Sequence, residues 1–109
     1  MITWDDFEKV EIKTGTIVDV QDFHEARKPA YKLLVDIGEE QPKKSSAQIT
    51  HHYTKEDLLG KQVICVTNFP PRQIGPVRSE VLVTGFYDAD GHVVLAVPDK
   101  TVDNGLKLG

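Results

Sequence analysis

The chain has 109 residues, 39% of them apolar and 28% charged, a composition typical of a soluble globular domain with one core. Its net charge is -4, yet residues 26–78 hold nine basic groups against five acids while both ends are acidic, so a local basic field can still steer a polyanion. The sequence contains no apolar run of membrane-spanning length, no signal-peptide pattern and only one cysteine, Cys65, which favours a cytoplasmic protein without membrane insertion or an internal disulfide.

The first predicted element is a short helix over residues 4–9. Thr3 is suited to cap it, and Asp6 stands at the position that completes a capping box. Trp4 and Phe7 recur at helical spacing and would share one face of the helix. That face either closes the end of a sheet or also contributes to a dimer contact.

A long first strand follows the helix. Gly15 interrupts it, and a glycine there suits a bulge or a sharp bend. Four aliphatic residues of this stretch have the same parity and are predicted to share a face: Val10, Ile12, Val18 and Val20.

The next segments alternate clearly. Residues 31–37 place apolar residues at every second position, which predicts a strand with one buried face. Residues 45–50 predict a polar third strand with Ala47 and Ile49 inward. Thr54 then caps a helical turn over residues 55–59, which Gly60 ends.

Two further strands, over residues 62–67 and 81–84, flank a proline-rich connection at residues 68–80. Its three prolines and Gly75 predict a stiff, non-helical loop that carries two arginines. Such a loop either holds a ligand or only closes the sheet. Cys65, among valine and isoleucine, is expected to be a small core hydrophobe.

A last strand is predicted over residues 92–97, after a turn at residues 88–91, and the C-terminal residues are rich in turn signals. Five to six short strands with a helical turn between the third and fourth indicate an all-β, five-stranded oligonucleotide/oligosaccharide-binding (OB) barrel. We expect one domain over residues 1–109, with a short N-terminal helix and a C-terminal extension. An SH3-like barrel is the main alternative.

Catalytic and metal-binding patterns are weak. His51 and His52 are adjacent and would point to opposite faces of a strand. No zinc-protease, serine-hydrolase, phosphate-loop or dinucleotide motif is present. We therefore expect a protein that is not an enzyme and uses no cofactor and no metal.

The proline-rich connection also carries a family resemblance. The run from Asn68 to Arg72, together with residues 58–63 and 79–82, resembles the tRNA-binding domain of methionyl-tRNA synthetases, of the phenylalanyl enzyme's β subunit and of related cytokine precursors. The runs 25–27, 33–38 and 45–50 are similar to the stand-alone CsaA-type members, known as export-related chaperones. The resemblance covers residues 4–109 and implies an OB barrel, a homodimer and no catalysis.

Two positions depart from the family pattern. His24 stands where a proline is expected before Glu-Ala-Arg, which bears on the shape of the first loop. The run Phe69-Pro70-Pro71 is richer in proline than in most synthetase-linked members and favours the CsaA branch.

The first functional hypothesis is non-catalytic binding of tRNA or other structured RNA, through phosphate contacts from basic side chains and polar groups that read shape or exposed bases. The predicted RNA-binding residues are Lys32, Lys43, Lys44, Ser46, Gln48, Asn68, Arg72 and Arg78. The alternative is that the lysines form a solvated face and that Asn68, Ser79 and Glu80 structure the loop, with Glu80 anchoring an arginine.

The second hypothesis is a chaperone-like dimer that holds unfolded or presecretory polypeptides on exposed apolar surface. Its possible peptide contacts are Phe69, Ile74 and Val77, whereas Phe86 is expected in the core. The predicted dimer contacts come from the N-terminal helix and the C-terminal tail, and they are Trp4, Phe7, Leu106 and Leu108.

Overall fold

The computed structural model describes all 109 residues. Nine strands and two helices follow one another along the chain: α1 (Trp4–Glu8), β1 (Ile12–Asp22), β2 (Tyr31–Asp36), β3 (Lys43–Ala47), α2 (Lys55–Leu58), β4 (Gln62–Val66), β5 (Arg72–Ile74), β6 (Val77–Ser79), β7 (Leu82–Val83), β8 (Gly85–Tyr87) and β9 (Val93–Leu95). Neither helix has the length and hydrophobicity that a membrane crossing requires.

Both predicted helix starts are confirmed. The backbone N–H of Asp6 donates to Thr3 Oγ1 at 3.2 Å, and the Thr3 N–H donates back to Asp6 Oδ2 at 3.0 Å. Thr54 and Asp57 form the same reciprocal pair at α2. Each box satisfies N–H groups that a short helix leaves without an internal partner.

Five strands form a nearly closed antiparallel barrel sheet in the order β3-β2-β1-β4-β7, which confirms the OB-like architecture. The long strand β1 belongs to both halves of the sheet, because residues 12–16 pair with β4 and residues 16–22 pair with β2. The barrel closes where the Glu80 N–H donates to Lys44 O at 2.8 Å and Ser45 Oγ donates to Val81 O at 2.9 Å.

The bulge in β1 lies at Val18, between Ile17 and Asp19, and not at Gly15. A bulge changes which parity of a strand faces inward, so buried Ile17 and Val20, three residues later, both face the interior, while Val18 is 45% exposed. The predicted shared face of β1 is therefore wrong for Val10 and Val18, which are exposed, and holds for Val20. Gly15 instead permits a close approach of β2, since a Cβ there would lie 2.7 Å from Val35 Cγ1.

The alternation predicted for β2 is confirmed in the barrel interior. Its inward side chains pack with those of the neighbouring strands and with Leu58, which α2 places in the core. The interior residues are Ile17, Tyr31, Leu33, Val35, Ile37, Ala47, Ile49, Leu58, Val63, Cys65, Val81 and Leu95. Cys65 is fully buried, and burial raises the pKa of its thiol to about 12, so it is the core hydrophobe that was expected.

Several predicted elements needed correction. The third strand begins at Lys43 and ends at Ala47, earlier than predicted, although Ile49 remains buried. His51 and His52 lie in a turn and not on a strand, and their rings meet edge to face with centroids 4.8 Å apart. The connection at residues 68–80 contains a two-stranded hairpin, β5–β6, that its proline content did not predict.

Phe86 was expected in the core, but it is 69% exposed. It lies on β8, which pairs with β9 as a separate two-stranded ribbon around the predicted turn. Phe86 pairs with Val94, which is also exposed. Cross-strand partners share a face of the ribbon, and this face points away from the interior.

Candidate nucleic-acid interface

The hairpin β5–β6 lies between the fourth and the last strand of the barrel. In OB folds this loop, the loop after the first strand and the outer face of the second and third strands bind oligonucleotides. The hairpin turns at Gly75 and Pro76, where Gly75 has a φ of 55°. Its turn lies near the first loop, because a Cβ on Gly75 would be 3.8 Å from the Phe23 ring.

The two arginines of the hairpin lie on opposite faces. Arg72 pairs with Ser79 and Gln73 pairs with Arg78. Cross-strand partners share a face of the hairpin, and successive residues alternate between its faces. One face therefore carries Arg72 with Ile74, Val77 and Ser79. The opposite face carries Arg78 with Gln73. Apart from Arg72, the first face is half-buried, and the second is exposed.

Ser79 and Glu80 fasten the hairpin to β3. The N–H of Ser46 donates to Ser79 Oγ at 3.3 Å, and the N–H of Lys44 donates to Glu80 Oε1 at 3.0 Å. Glu80 therefore anchors the backbone of β3 and not an arginine, contrary to the expectation. Neither Arg72 nor Arg78 forms an ion pair within the protein.

Three predicted RNA-binding residues lie together on the outer face of β2 and β3. Lys32 pairs with Ser46, and Lys44 pairs with Leu34. The side chains of these four residues alternate with the buried side chains of β2 and β3 and so point outward. We call Lys32, Lys44 and Ser46 the outer face. Lys43 has the other parity, and its ammonium lies 3.4 Å from a carboxylate oxygen of Glu39. The structure therefore separates Lys43 from the lysines with which it was grouped.

Two grooves flank the hairpin. The smaller, of about 250 Å³, is lined by Lys32 and Lys44 and by two β1 residues that the sequence did not suggest, Asp19 and Gln21. Both flank Val20, which packs on the interior, and so lie on the outward side of β1. The larger groove, of about 720 Å³, brings together Ser46, Phe69, Pro70, Pro71, Arg72, Ile74, Ser79 and Glu80.

Two other predicted residues lie apart from this arrangement. Asn68 Oδ1 accepts from the Glu11 N–H at 2.9 Å, and its Nδ2 donates to Lys9 O at 2.7 Å. Both ends of the amide are thus occupied in holding the start of the connection to the segment after α1. Gln48 lies beyond the end of β3, where its side chain is exposed and forms no hydrogen bond within the protein.

The residues predicted to form a dimer contact lie on two adjoining segments. The C-terminal tail runs beside β1, with the Leu108 N–H donating to Ile12 O at 2.8 Å. Lys107 Nζ lies 2.9 Å from Glu8 Oε2 and so links the tail to α1. Trp4 is 79% exposed, and Leu106 and Leu108 are about half-exposed.

No group of three or more histidine, cysteine, aspartate or glutamate side chains has a geometry that could hold a metal ion. His51 stacks on His92 with centroids 3.6 Å apart, and His52 Nε2 lies 2.7 Å from Asp88 Oδ2. Stacked rings direct their nitrogen lone pairs into parallel planes, so this cluster does not converge on one ion.

Comparison with known proteins places these features in a family. Residues 12–107 match the family model named "Putative tRNA binding domain". The methionine–tRNA ligase of Methanococcoides burtonii is 36% identical over 105 residues, which cover 96% of this chain and 15% of the ligase. The chain thus spans about 15% of the length of the curated relatives it matches.

Solved structures resemble the chain over its whole length. The crystal structure of the chaperone CsaA from Bacillus anthracis has a TM-score of 0.93 and 43% identity, covering 100% of this chain and 99% of that one. The CsaA chaperone protein from Picrophilus torridus has a TM-score of 0.92 and 49% identity, with both chains fully covered. The chain belongs to the tRNA-binding domain family, and its structural neighbours include CsaA proteins.

Proposed function

We propose that this protein binds tRNA or another structured RNA without catalysing a reaction on it, using the outer face and the hairpin β5–β6. The observation that carries the proposal is the clustering of unpaired basic groups at this site. Lys32, Lys44, Arg72 and Arg78 have no carboxylate partner and lie together on the outer face and the hairpin. Of the nine other lysines and arginines, five form ion pairs: Lys9, Lys13, Lys43, Lys55 and Lys107.

A phosphate can bind an unpaired basic side chain without first breaking an ion pair within the protein. Binding releases counterions from the RNA, so affinity falls steeply as salt increases. Lys43, already paired with Glu39, should contribute less than Lys44. Because the ligand is RNA, we place the protein in the cytoplasm, as one OB-type domain with no cofactor.

The test is tRNA affinity measured across a salt series for the wild type and for Lys44→Ala. Losing one phosphate contact should lower affinity and reduce the slope of log K against log salt by about one. Lys100→Ala is the matched control, because Lys100 has no ion pair and lines a different groove with Thr16 and Gln62. Wild-type binding without salt dependence would contradict the proposal.

A second candidate function is the holding of unfolded or presecretory polypeptides. Two structural neighbours are named CsaA chaperones, and the pair Phe86–Val94 exposes apolar side chains that the barrel does not need. Ile74 and Val77 are half-buried and offer less surface than predicted for this role. Phe86→Ser should reduce suppression of client aggregation while tRNA affinity stays unchanged. Retained suppression in that folded variant would reject this surface.

We further propose a twofold dimer through α1 and the C-terminal tail, where Trp4, Phe7, Leu106 and Leu108 lie on linked segments. Trp4 and Phe7 already contact each other edge to face, with centroids 6.3 Å apart. Sedimentation should show a dimer at micromolar concentration and ordinary salt. A monomer under those conditions would end this proposal.

A further inference from the structure

We propose that the larger groove takes one unpaired nucleotide of the bound RNA, with its base stacked on the Phe69 ring and its phosphate on Arg72. This inference rests on the proposed RNA binding and adds a specific contact to it. The groove measures about 720 Å³, within the range of roughly 300–1,000 Å³ that small-ligand sites occupy.

Phe69 is presented to solvent on a fixed backbone. It is 56% exposed, so the core does not account for it. On one side, Asn68 is tied to Lys9 and Glu11 by both ends of its amide, and on the other side Pro70 and Pro71 restrict the chain. An aromatic ring held in this way loses little conformational freedom on stacking, and any base offers a face to it.

Arg72 supplies the positive charge of the same groove. It directly follows Pro71, is exposed, and has no ion pair or side-chain hydrogen bond in the protein. A guanidinium in this state can bind a phosphate with two parallel hydrogen bonds. Phe69 and Arg72 thus offer a stacking surface and a phosphate contact in one groove.

The polar side of the groove suits the edge of a base. Glu80 Oε1 accepts from the Lys44 N–H, which leaves Glu80 Oε2 without a protein partner, and Ser46 Oγ is also unbonded. A carboxylate repels phosphate but accepts hydrogen bonds from base amino groups. Uracil offers only an N3–H flanked by two carbonyl oxygens, which a carboxylate repels. The site should therefore favour cytosine, adenine or guanine, which carry amino groups, over uracil.

The first experiment compares Phe69→Leu and Phe69→Tyr with the wild type in tRNA affinity across a salt series. Leucine keeps the apolar bulk but lacks a ring, so affinity should fall about 5- to 100-fold with an unchanged salt slope. Tyrosine should retain affinity. Circular-dichroism melts must show that both variants are folded, as the exposure of Phe69 leads us to expect.

A tryptophan reporter tests contact directly. The chain has a single tryptophan, so Trp4→Phe combined with Phe69→Trp gives one fluorophore in the groove. Its emission should be quenched by tRNA, and at a tRNA concentration near the Kd the quenching should be much weaker when Arg72 is also replaced by alanine. Absence of quenching in a protein that binds tRNA would overturn the stacking contact.

The base preference is tested with cytidine and uridine pentamers as competitors of tRNA. The cytidine pentamer should compete better, and Glu80→Gln, which keeps an acceptor for the Lys44 N–H, should reduce that difference. Equal competition, or none by either pentamer, removes Glu80 from base recognition.

The remaining outcomes separate the two proposals. If the wild type binds tRNA with salt dependence but Phe69→Leu binds equally well, the nucleotide site is wrong and RNA binding stands. If the wild type binds no tRNA, both proposals fail. If Phe69→Leu loses only the suppression of client aggregation, the groove serves polypeptide and the nucleotide proposal is overturned.

Discussion

The barrel interior and the hairpin β5–β6 differ in how they are held. The interior consists of apolar side chains that are at most 9% exposed and come from most of the barrel strands and from α2. The hairpin has no buried strand residue. It is held to β3 mainly by polar contacts of Ser79 and Glu80 with the backbone of Ser46 and Lys44.

This difference separates stability from function. Burial of apolar surface is the largest favourable contribution to folding, and it lies in the interior. The exposed residues of the hairpin can change without loss of that contribution, which is typical of binding loops on a rigid scaffold. Substitutions in the two regions should therefore have different signatures, and each prediction below tests that separation.

The largest effect is expected in the interior. Leu33 is 2% exposed, and Leu33→Ala should lower the free energy of unfolding by about 2–5 kcal/mol through lost burial and a cavity. Leu34 is the matched control, because it is the next residue on β2 and lies on the opposite, half-buried face. Urea unfolding should show a clearly smaller loss for Leu34→Ala. Equal losses would mean that the interior does not dominate stability.

A smaller loss is expected from crowding β1 at Gly15, where β2 approaches closely. Gly15→Ala would place a Cβ 2.7 Å from Val35 Cγ1 and 3.1 Å from Asp36 O, so strands β1 and β2 must move apart. Overpacking of this kind costs about 1–3 kcal/mol. Gly109→Ala, with no atom near the added Cβ, should leave the urea midpoint unchanged. A Gly15→Ala variant as stable as the wild type would show that the strands can separate freely.

The interior was also the region that the sequence predicted best. Strict alternation over residues 31–37 predicted which side chains are buried, because a strand has a side-chain period of two. The capping residues Thr3 and Thr54 predicted both helix starts. Both signals depend only on residues that are close together in the chain, so the sequence alone reveals them.

The hairpin and the ribbon depend on long-range contacts that a pattern does not contain. Strands β5 and β6 have three residues each, too few for a visible period, and prolines precede them. The apolar side chain of Phe86 predicts burial, and only its pairing with exposed Val94 shows that it lies on an outward face. The bulge at Val18 changes which parity of β1 faces inward, so the sequence pattern did not assign Ile17 to the interior. Asp19 and Gln21 line the smaller groove because β1, β2 and the hairpin turn meet there.

The two arginines of the hairpin are expected to contribute to RNA binding and hardly at all to stability. Arg72→Ala should lower tRNA affinity about 10-fold and the salt slope by about one, while the free energy of unfolding changes by less than about 0.5 kcal/mol. Arg78→Ala should also weaken binding, but less, because Arg78 does not line the larger groove. Equal losses would indicate that RNA contacts both faces of the hairpin.

The smallest effect concerns a polar contact outside both regions. Asp88 Oδ2 lies 2.7 Å from His52 Nε2, and its Oδ1 accepts from the backbone N–H groups of His92 and Asp90. The contact with His52, followed by the backbone contacts, lowers the pKa of Asp88 from 3.8 to about 2. The contact therefore joins the turn after β3 to the β8–β9 ribbon.

The sign of the pH dependence follows from that lowered pKa. In the unfolded chain Asp88 titrates near 3.8, so its stabilising contribution is fully present above that pH and is lost as the pH falls through about 2. Asp88→Asn removes this contribution, and the difference in urea midpoint between wild type and variant should shrink between pH 4 and pH 2. Other carboxylates titrate equally in both proteins and cancel. Asp90→Asn is the control, since that side chain forms no hydrogen bond in the protein, and it should show a constant difference. A constant difference for Asp88→Asn as well would mean that the ionised carboxylate of Asp88 contributes nothing to folding.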